Sequence, residues 1–204
     1  MSLFDDMPPA RRYRLPLFPL PVVLLPGAPM PLHIFEPRYQ EMVRDCLASD
    51  RRFGMVYHDW DRQGPFLSEE GRVGCVAEID THQELRDGRS LITVLGLERF
   101  RIADGIESES AYFEALVTPY VDVALDAEEL TSRRALSIEL FHQVVASLEG
   151  RPEELPVMEP VLETSFLLAR TIGVDPTWHQ NLLELRDERE RLTELDRVFR
   201  AALE

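Results

Sequence analysis

The side chains able to do acid–base, nucleophilic or metal chemistry are few here and poorly spaced for it. Five histidines occur, His33, His58, His82, His142 and His179, and none belongs to an HExxH motif or an HxxxH pair. Zinc needs three or four converging ligands. Cys75 and His82 could share an ion only if their strand folded back, because seven residues of straight strand span more than ~20 Å. The sequence therefore predicts no metal site. Cys46 and Cys75 lack a CxxC spacing and read as free, buried thiols that behave as small hydrophobes. A nucleophile needs a base and an orienting group in contact with it. No GxSxG elbow is present; Gly74-Cys75-Val76 is a fragment of one and falls in a strand-like run. No GxGxxG fingerprint occurs. The most informative gap is lysine, since all 22 basic residues are arginine. A P-loop needs its lysine on the phosphates, and a Schiff base or a Ser–Lys protease needs an amine. None of these can be built from this sequence, and no catalytic residue or cofactor is expected.

Charge narrows the partners. Acidic residues number 37 against those 22, for a net charge of −15 over 204 residues. Phosphate contacts need a basic field, so nucleic acid is an unfavourable partner. Neither side of residue 125 carries a basic excess. A composition of 45% hydrophobic and 29% charged residues is that of a soluble globular protein. No run approaches the ~18 apolar residues of a membrane span. The opening residues lack an apolar signal core, so a cytoplasmic chain with no membrane contact is expected.

The elements that must position any site follow from periodicity. Residues 1–12 read as a loose arm. Pro16, Pro19, Pro21, Pro26, Pro29 and Pro31 rule out a helix over 15–35. They suit short extended pieces at Leu15–Phe18, Val22–Leu25 and Pro31–Phe35, with a turn at Pro26-Gly27. Pro37 then fits a first helical position. Tyr39, Met42, Val43, Cys46 and Leu47 predict one amphipathic helix to about Ala48. Strands are predicted at Phe53–His58, Val73–Leu85, Leu91–Phe100 and Tyr112–Tyr120, with Asp87-Gly88 as a hairpin turn. Leu91 to Leu95 reads as a buried central strand, and Trp60–Gly71 as an exposed loop. Beyond Asp126 the period becomes helical. Leu136, Leu140, Phe141, Val144, Val145 and Leu148 form one stripe. Met158, Val161, Leu162, Ser165, Ala169 and Ile172 form a second. Asp175-Pro176 opens a short helix, and Asp187 with Glu190 resembles a capping box before the last one. The acids Glu184, Asp187, Glu188, Glu190 and Glu194 interleave with Arg186, Arg189, Arg191 and Arg197 as a solvated face. Each such pair contributes only about 0.2–0.5 kcal/mol. The expected architecture is α+β, a β-rich domain over 13–123 holding one helix, then an all-α helical subdomain over 124–204.

Leu15-Pro16-Leu17-Phe18-Pro19-Leu20, Pro26-Gly27 and Pro31-Leu32-His33-Ile34-Phe35-Glu36-Pro37-Arg38-Tyr39, in that order, resemble the opening of the Lon protease N-terminal domain. Gly74-Cys75-Val76-Ala77-Glu78-Ile79 is similar to that family's G-x-x-A-x-I strand. Gly96-Leu97-Glu98-Arg99-Phe100-Arg101-Ile102 is similar to its G-x-x-R-F-x-I hairpin. The similarity runs from about Tyr13 to Leu203. It implies a PUA-like β-barrel joined to a small helical bundle, in a region that helps select unfolded or tagged substrates. The chain ends where an ATPase would begin, which implies a stand-alone member without ATPase or protease domains.

That resemblance directs attention to surfaces for polypeptide. A barrel edge can accept an added strand, and methionine and aromatic side chains adapt to varied apolar partners. The candidates are Met30, Phe35, Tyr57, Trp60 and Phe66, the partners unfolded or apolar polypeptide segments, with a protease or chaperone as an associated protein and homo-oligomerisation left open. Glu36 and Arg38 read as an ion pair at the helix start. The alternative from another class is a small-molecule or RNA-binding PUA-like domain, for which Arg11, Arg12, Arg14, Arg51 and Arg52 would have to form a basic patch.

Overall fold

The computed structural model describes residues 12–149, 158, 161, 163–173 and 175–204. The chain divides into two compact units, Met1–Val121 and Asp122–Glu204. The arm at residues 1–12 lies, except for Arg12, outside the described residues.

The first unit runs β1 (Tyr13–Leu20), β2 (Pro29–Ile34), α1 (Pro37–Leu47), β3 (Arg52–Tyr57), α2 (Trp60–Gln63), β4 (Val73–Glu84), β5 (Ser90–Ile106) and β6 (Phe113–Pro119). The strand order is β2-β5-β4-β3-β1-β6, and β6 also pairs with β5. The pairings β5–β4–β3–β1–β6–β5 therefore form a closed circuit of five strands, with β1–β3 the one parallel pair among those described. The 17-residue β5 makes closure possible. It pairs with β2 over Ser90–Leu95, with β4 from Ser90 to Arg101, and with β6 from Phe100 to Ile106. Register shifts at Cys75/Ala77, Ile79/Thr81 and Ile102/Asp104 mark bulges, which bend a strand and increase its twist.

Two apolar clusters fill this unit. Inside the circuit Leu15, Leu17, Val56, Val76, Phe100, Ile102, Ala115 and Val117 pack together. Phe100 fits because Gly54 and Gly74 face its ring; a Cβ on either would lie 2.6 Å from Phe100 Cζ. The second cluster lies under α1, where Tyr39, Met42, Val43 and Cys46 are all buried as their spacing predicts. Pro37 occupies the first turn, and Glu36 pairs with Arg38 at 2.7 Å. The 22–25 piece is not a strand, although Leu24 and Leu25 are buried. Prolines on both sides deprive it of ladder donors, and it is fixed at its end instead. There Gly27, at φ +72, donates to Gly96 O (2.8 Å), and Gly96 donates to Ala28 O (2.9 Å).

The second unit holds α3 (Ala127–Glu149), α4 (Thr164–Ala169), α5 (Pro176–Glu184) and α6 (Glu188–Leu203). Asp175 caps α5 through Thr177 N–H (2.7 Å), and Asp187 caps α6 through Arg189 N–H (2.8 Å) rather than with Glu190. Two expectations change. Among the described residues of the Met158–Ile172 stripe only Thr164–Ala169 are helical, and Glu163 takes a left-handed backbone (φ +65) just before them; Leu162 lies outside the described residues. The Leu136–Leu148 stripe is only in part the buried face of α3. Val144 is buried and Leu140, Phe141 and Val145 are half-buried, but Leu136 and Leu148 at its two ends are exposed, and Arg134, Ser137 and Ile138 are buried beside it.

The interleaved charges are likewise not all solvated. Arg191 is completely buried and forks onto Asp122 (2.7 and 2.5 Å). Arg134 pairs with Glu188 at 2.6 Å, both buried. Arg133 and Ser137 both bond to Asp196. Buried charges of this kind must be paired and hydrogen-bonded, and here they join α3, α4 and α6.

Candidate functional site

The β2–β5–β4 ribbon projects past the closed circuit. β3 pairs with β4 only through Glu78, whereas β4 continues to Glu84 against β5, and β2 flanks β5 on its other side. Alternation gives the ribbon two faces. Met30, Leu32 and Ile34 of β2 and Ile92 and Val94 of β5 turn toward the cluster under α1. Pro29, Pro31 and His33 of β2, Leu91, Thr93 and Leu95 of β5, and Glu78, Thr81 and Gln83 of β4 share the opposite face, matched laterally by register. Leu91 and Leu95 are 44% and 39% exposed. They stand about 13 Å apart along the strand. Pro31, His33, Thr81, Gln83, Leu91 and Thr93 surround an open depression of about 450 Å³. Phe35, 58% exposed, extends the strip past the end of β2 with its ring 5.7 Å from that of His33.

The expectation of a buried central strand at Leu91–Leu95 is thereby corrected. The strand is flanked on both sides, but only Ile92 and Val94 are covered. A nearly unbroken run of apolar and β-branched residues hides alternation, so periodicity does not separate the two faces, and Leu91 and Leu95 are not legible as surface residues from the sequence.

The edges of this ribbon are poor templates for an added strand. Proline is tolerated on an edge strand where its missing N–H would face away from the sheet. Pro29 and Pro31 occupy alternate positions, so both nitrogens share one side. Of positions 29, 31 and 33, His33 alone retains an N–H. The opposite edge, beyond Ile79 on β4, carries a bulge and the exposed acids Asp80 and Glu84. Prolines, bulges and charges are the devices that blunt sheet edges.

The five aromatic and methionine candidates fall into two groups. Met30 is half-buried against the α1 cluster, and Phe35 is exposed at the end of the same strand. Around His58 gather Trp60 and Phe66, both edge-on to its ring at 4.6 and 5.3 Å. Trp60 is 37% exposed at the start of α2, which Asp59 caps by accepting from Asp61 and Arg62 N–H. Phe66 is 3% exposed, packs on Phe113 at 4.9 Å and belongs to the cluster inside the circuit. A hydrophobic ring in a polar loop has been drawn into the core, so the 60–71 segment is not wholly a surface loop. Tyr57 is half-buried, and its carbonyl accepts from Arg72 (2.6 Å). Arg38 lies over the rings of Tyr39, Trp60 and Phe113 at 4.6, 5.8 and 5.7 Å, which holds Trp60 against the start of α1.

The titratable groups of this unit are set for structure. Burial pushes the Cys46 thiol up to about 12, with Asp50 and Asp45 adding to it, and its Sγ donates to Arg52 O. A thiol held protonated is a poor nucleophile. Burial likewise raises the Tyr39 hydroxyl to about 12. His58 is buried and must donate from Nε2, because its partner at 2.8 Å is the Gly64 carbonyl. Among the described residues no group of three or more His, Cys, Asp or Glu side chains converges on a metal position. No described helix is long and apolar enough to cross a membrane.

The first unit is thus a mixed α+β structure with an open, largely apolar sheet face, and the second is helical. The chain belongs to the family of the ATP-dependent protease La (LON) substrate-binding domain, whose model matches residues 14–197. It is 31% identical over 190 residues to the Lon protease of Trichlorobacter lovleyi, covering 89% of this chain and 23% of that protein. It is 26% identical over 212 residues to Lon protease 2 of Herpetosiphon aurantiacus, covering 97% and 25%. The chain thus spans about a quarter of the length of the curated relatives it matches. A Lon N-terminal domain protein from Xanthomonas campestris superposes with a TM-score of 0.62 at 25% identity, over 90% of this chain and 96% of that one. The N-terminal domain of a Mycobacterium avium complex Lon protease gives 0.69 at 18% identity, over 92% and 98%, which bears on the fold alone.

Proposed function

We propose that this protein is a non-enzymatic polypeptide-binding module. It captures exposed apolar segments of unfolded proteins and serves, in the cytoplasm, as a substrate recogniser or adaptor for a protease or chaperone. The observation that carries this reading is the open strip of Phe35, Leu91, Leu95 and Pro31 in a chain of the Lon substrate-binding family. Exposed apolar surface bordered by polar residues is where apolar partners dock. Of the five candidates, Phe35 and Trp60 are exposed and would touch a ligand directly, whereas Met30 and Tyr57 are half-buried and Phe66 is buried. The closed five-strand circuit is read as the PUA-like barrel, and the four described helices as the helical bundle. A net charge of −15 disfavours nucleic acid.

The test is fluorescence anisotropy of a permanently unfolded polypeptide against its folded counterpart. Micromolar binding of the unfolded form that persists at high salt supports the reading. Absence of binding at ~100 μM, equivalent to an affinity weaker than about −5.5 kcal/mol, refutes it. Binding lost steeply with salt points instead to phosphate-type contacts.

A further inference from the structure

We propose that the β2–β5–β4 face holds its polypeptide by side-chain contact alone, taking an uncharged apolar segment laid flat on the sheet, without adding a strand to either edge. This rests on the reading of that face as the polypeptide site and specifies what it accepts.

Three features of the ribbon support it. First, the circuit β5–β4–β3–β1–β6 leaves its own strands paired on both sides, so the unpaired backbone of the sheet is concentrated on the projecting ribbon. Both edges there are unsuited to pairing. β2 lacks donors at Pro29 and Pro31, and the free stretch of β4 starts at the Ile79/Thr81 bulge. Second, the face itself is open, with Leu91 and Leu95 exposed about as far apart as residues i and i+4 of an extended chain. Third, the chemistry of the face selects the occupant. No carboxylate or guanidinium lines the depression between Pro31, His33, Thr81, Gln83, Leu91 and Thr93. The one carboxylate that register sets beside Leu95 on this face, Glu78, is already paired with Arg52, and the other nearby cations are engaged too: Arg51 donates to the Ile79 and Asp80 carbonyls, and Arg89 to Asp87. A charged residue pressed onto this surface would lose water and gain no partner. An uncharged apolar segment loses nothing comparable and covers Leu91, Leu95 and Phe35.

The experiment compares four labelled ten-residue peptides on the whole protein. They are an uncharged apolar sequence, the same sequence with alternate backbone amides N-methylated, and versions with aspartate or arginine at its centre. The parent peptide is expected to bind, N-methylation to change Kd less than twofold, and either central charge to weaken binding at least tenfold. Leu91→Ser with Leu95→Ser should weaken the parent tenfold or more while leaving the circular dichroism spectrum unchanged. The exposed Leu136→Ser in the helical unit should leave Kd unchanged. A tenfold or larger loss on N-methylation means the backbone is hydrogen-bonded in a strand, and overturns this inference while the broader reading stands. Equal binding of the charged peptides, or an equal effect of Leu136→Ser, overturns it as well. If the parent peptide does not bind at all, the function proposed above fails with it.

Discussion

Replacing Arg191 is the sharpest test of how the helical unit is held together. This one side chain, on α6, donates twice to the Asp122 carboxylate (2.7 and 2.5 Å), once to Ser165 Oγ (2.9 Å) and once to Leu185 O (2.8 Å). Its guanidinium also lies 4.4 Å from the Phe166 ring centre. It therefore ties the start of the unit, α4 and the end of α5 to α6. Truncating one partner of a buried pair costs about 3–5 kcal/mol. Asp122 keeps 32% of its side chain exposed and can recover some water once abandoned, so Arg191→Ala is placed near the lower limit, about 3 kcal/mol. Arg191→Lys keeps the charge but not the fork, and should lose roughly half as much, about 1.5 kcal/mol. Denaturant unfolding followed by Trp178 on α5 reads this unit, with Trp60→Phe removing the signal of the first unit. A drop of that size lowers the midpoint temperature of an 80-residue unit by at least ~10 °C. A loss below about 1 kcal/mol, the range of an exposed pair, would refute the claim that a buried network organises this unit.

Three further outcomes follow from the same structure. Gly74→Ala drives a Cβ into the Met55 carbonyl and to 2.6 Å from the Phe100 ring. It should cost about 1–3 kcal/mol in unfolding of the first unit, and an unaffected stability would show that Phe100 moves freely. Glu114 is held below the usual carboxylate range by its hydrogen bonds to Arg14, with Ser108 and Ser110 adding to them. The stabilisation from a depressed carboxylate is full above the unfolded pKa near ~4.3 and is lost as pH falls through the folded value. The stability gap between the wild type and Glu114→Gln should therefore be largest at neutral pH and close on acidification; a gap that widens below pH ~4 contradicts the pairing. Cys46, buried with its thiol raised to about 12, should resist iodoacetamide at pH 8 in the folded protein and react once it is unfolded, as peptide mapping by mass spectrometry would show. Rapid labelling of the native protein would contradict the burial.

Local chemistry made much of the first unit legible. Proline fixes φ wherever it stands, so the segments around Pro16, Pro31 and Pro37 could be read without knowing their neighbours. The α1 stripe came from spacing, and Gly27 and Gly88, both at positive φ, marked turns. The absence of lysine by itself excludes whole reaction classes. These are properties of a residue and its nearest few positions in the chain.

What the tertiary structure decided depends on partners distant in sequence. Leu91, Ile92, Val94 and Leu95 are alike in hydropathy, and only pairing with β2 and β4 determined which two face α1 and which two face water. Phe66 left its polar loop for the core because Phe113, 47 residues on at the start of β6, packs on its ring and leaves a place for it beside His58. Arg191 and Glu188 look like their charged neighbours on α6. They are buried because Asp122 and Arg134 lie 69 and 54 residues away in the chain and beside them in space. The sequence determined the kinds of element and the chemistry open to them; long-range contacts determined which side chains would be buried and which left exposed.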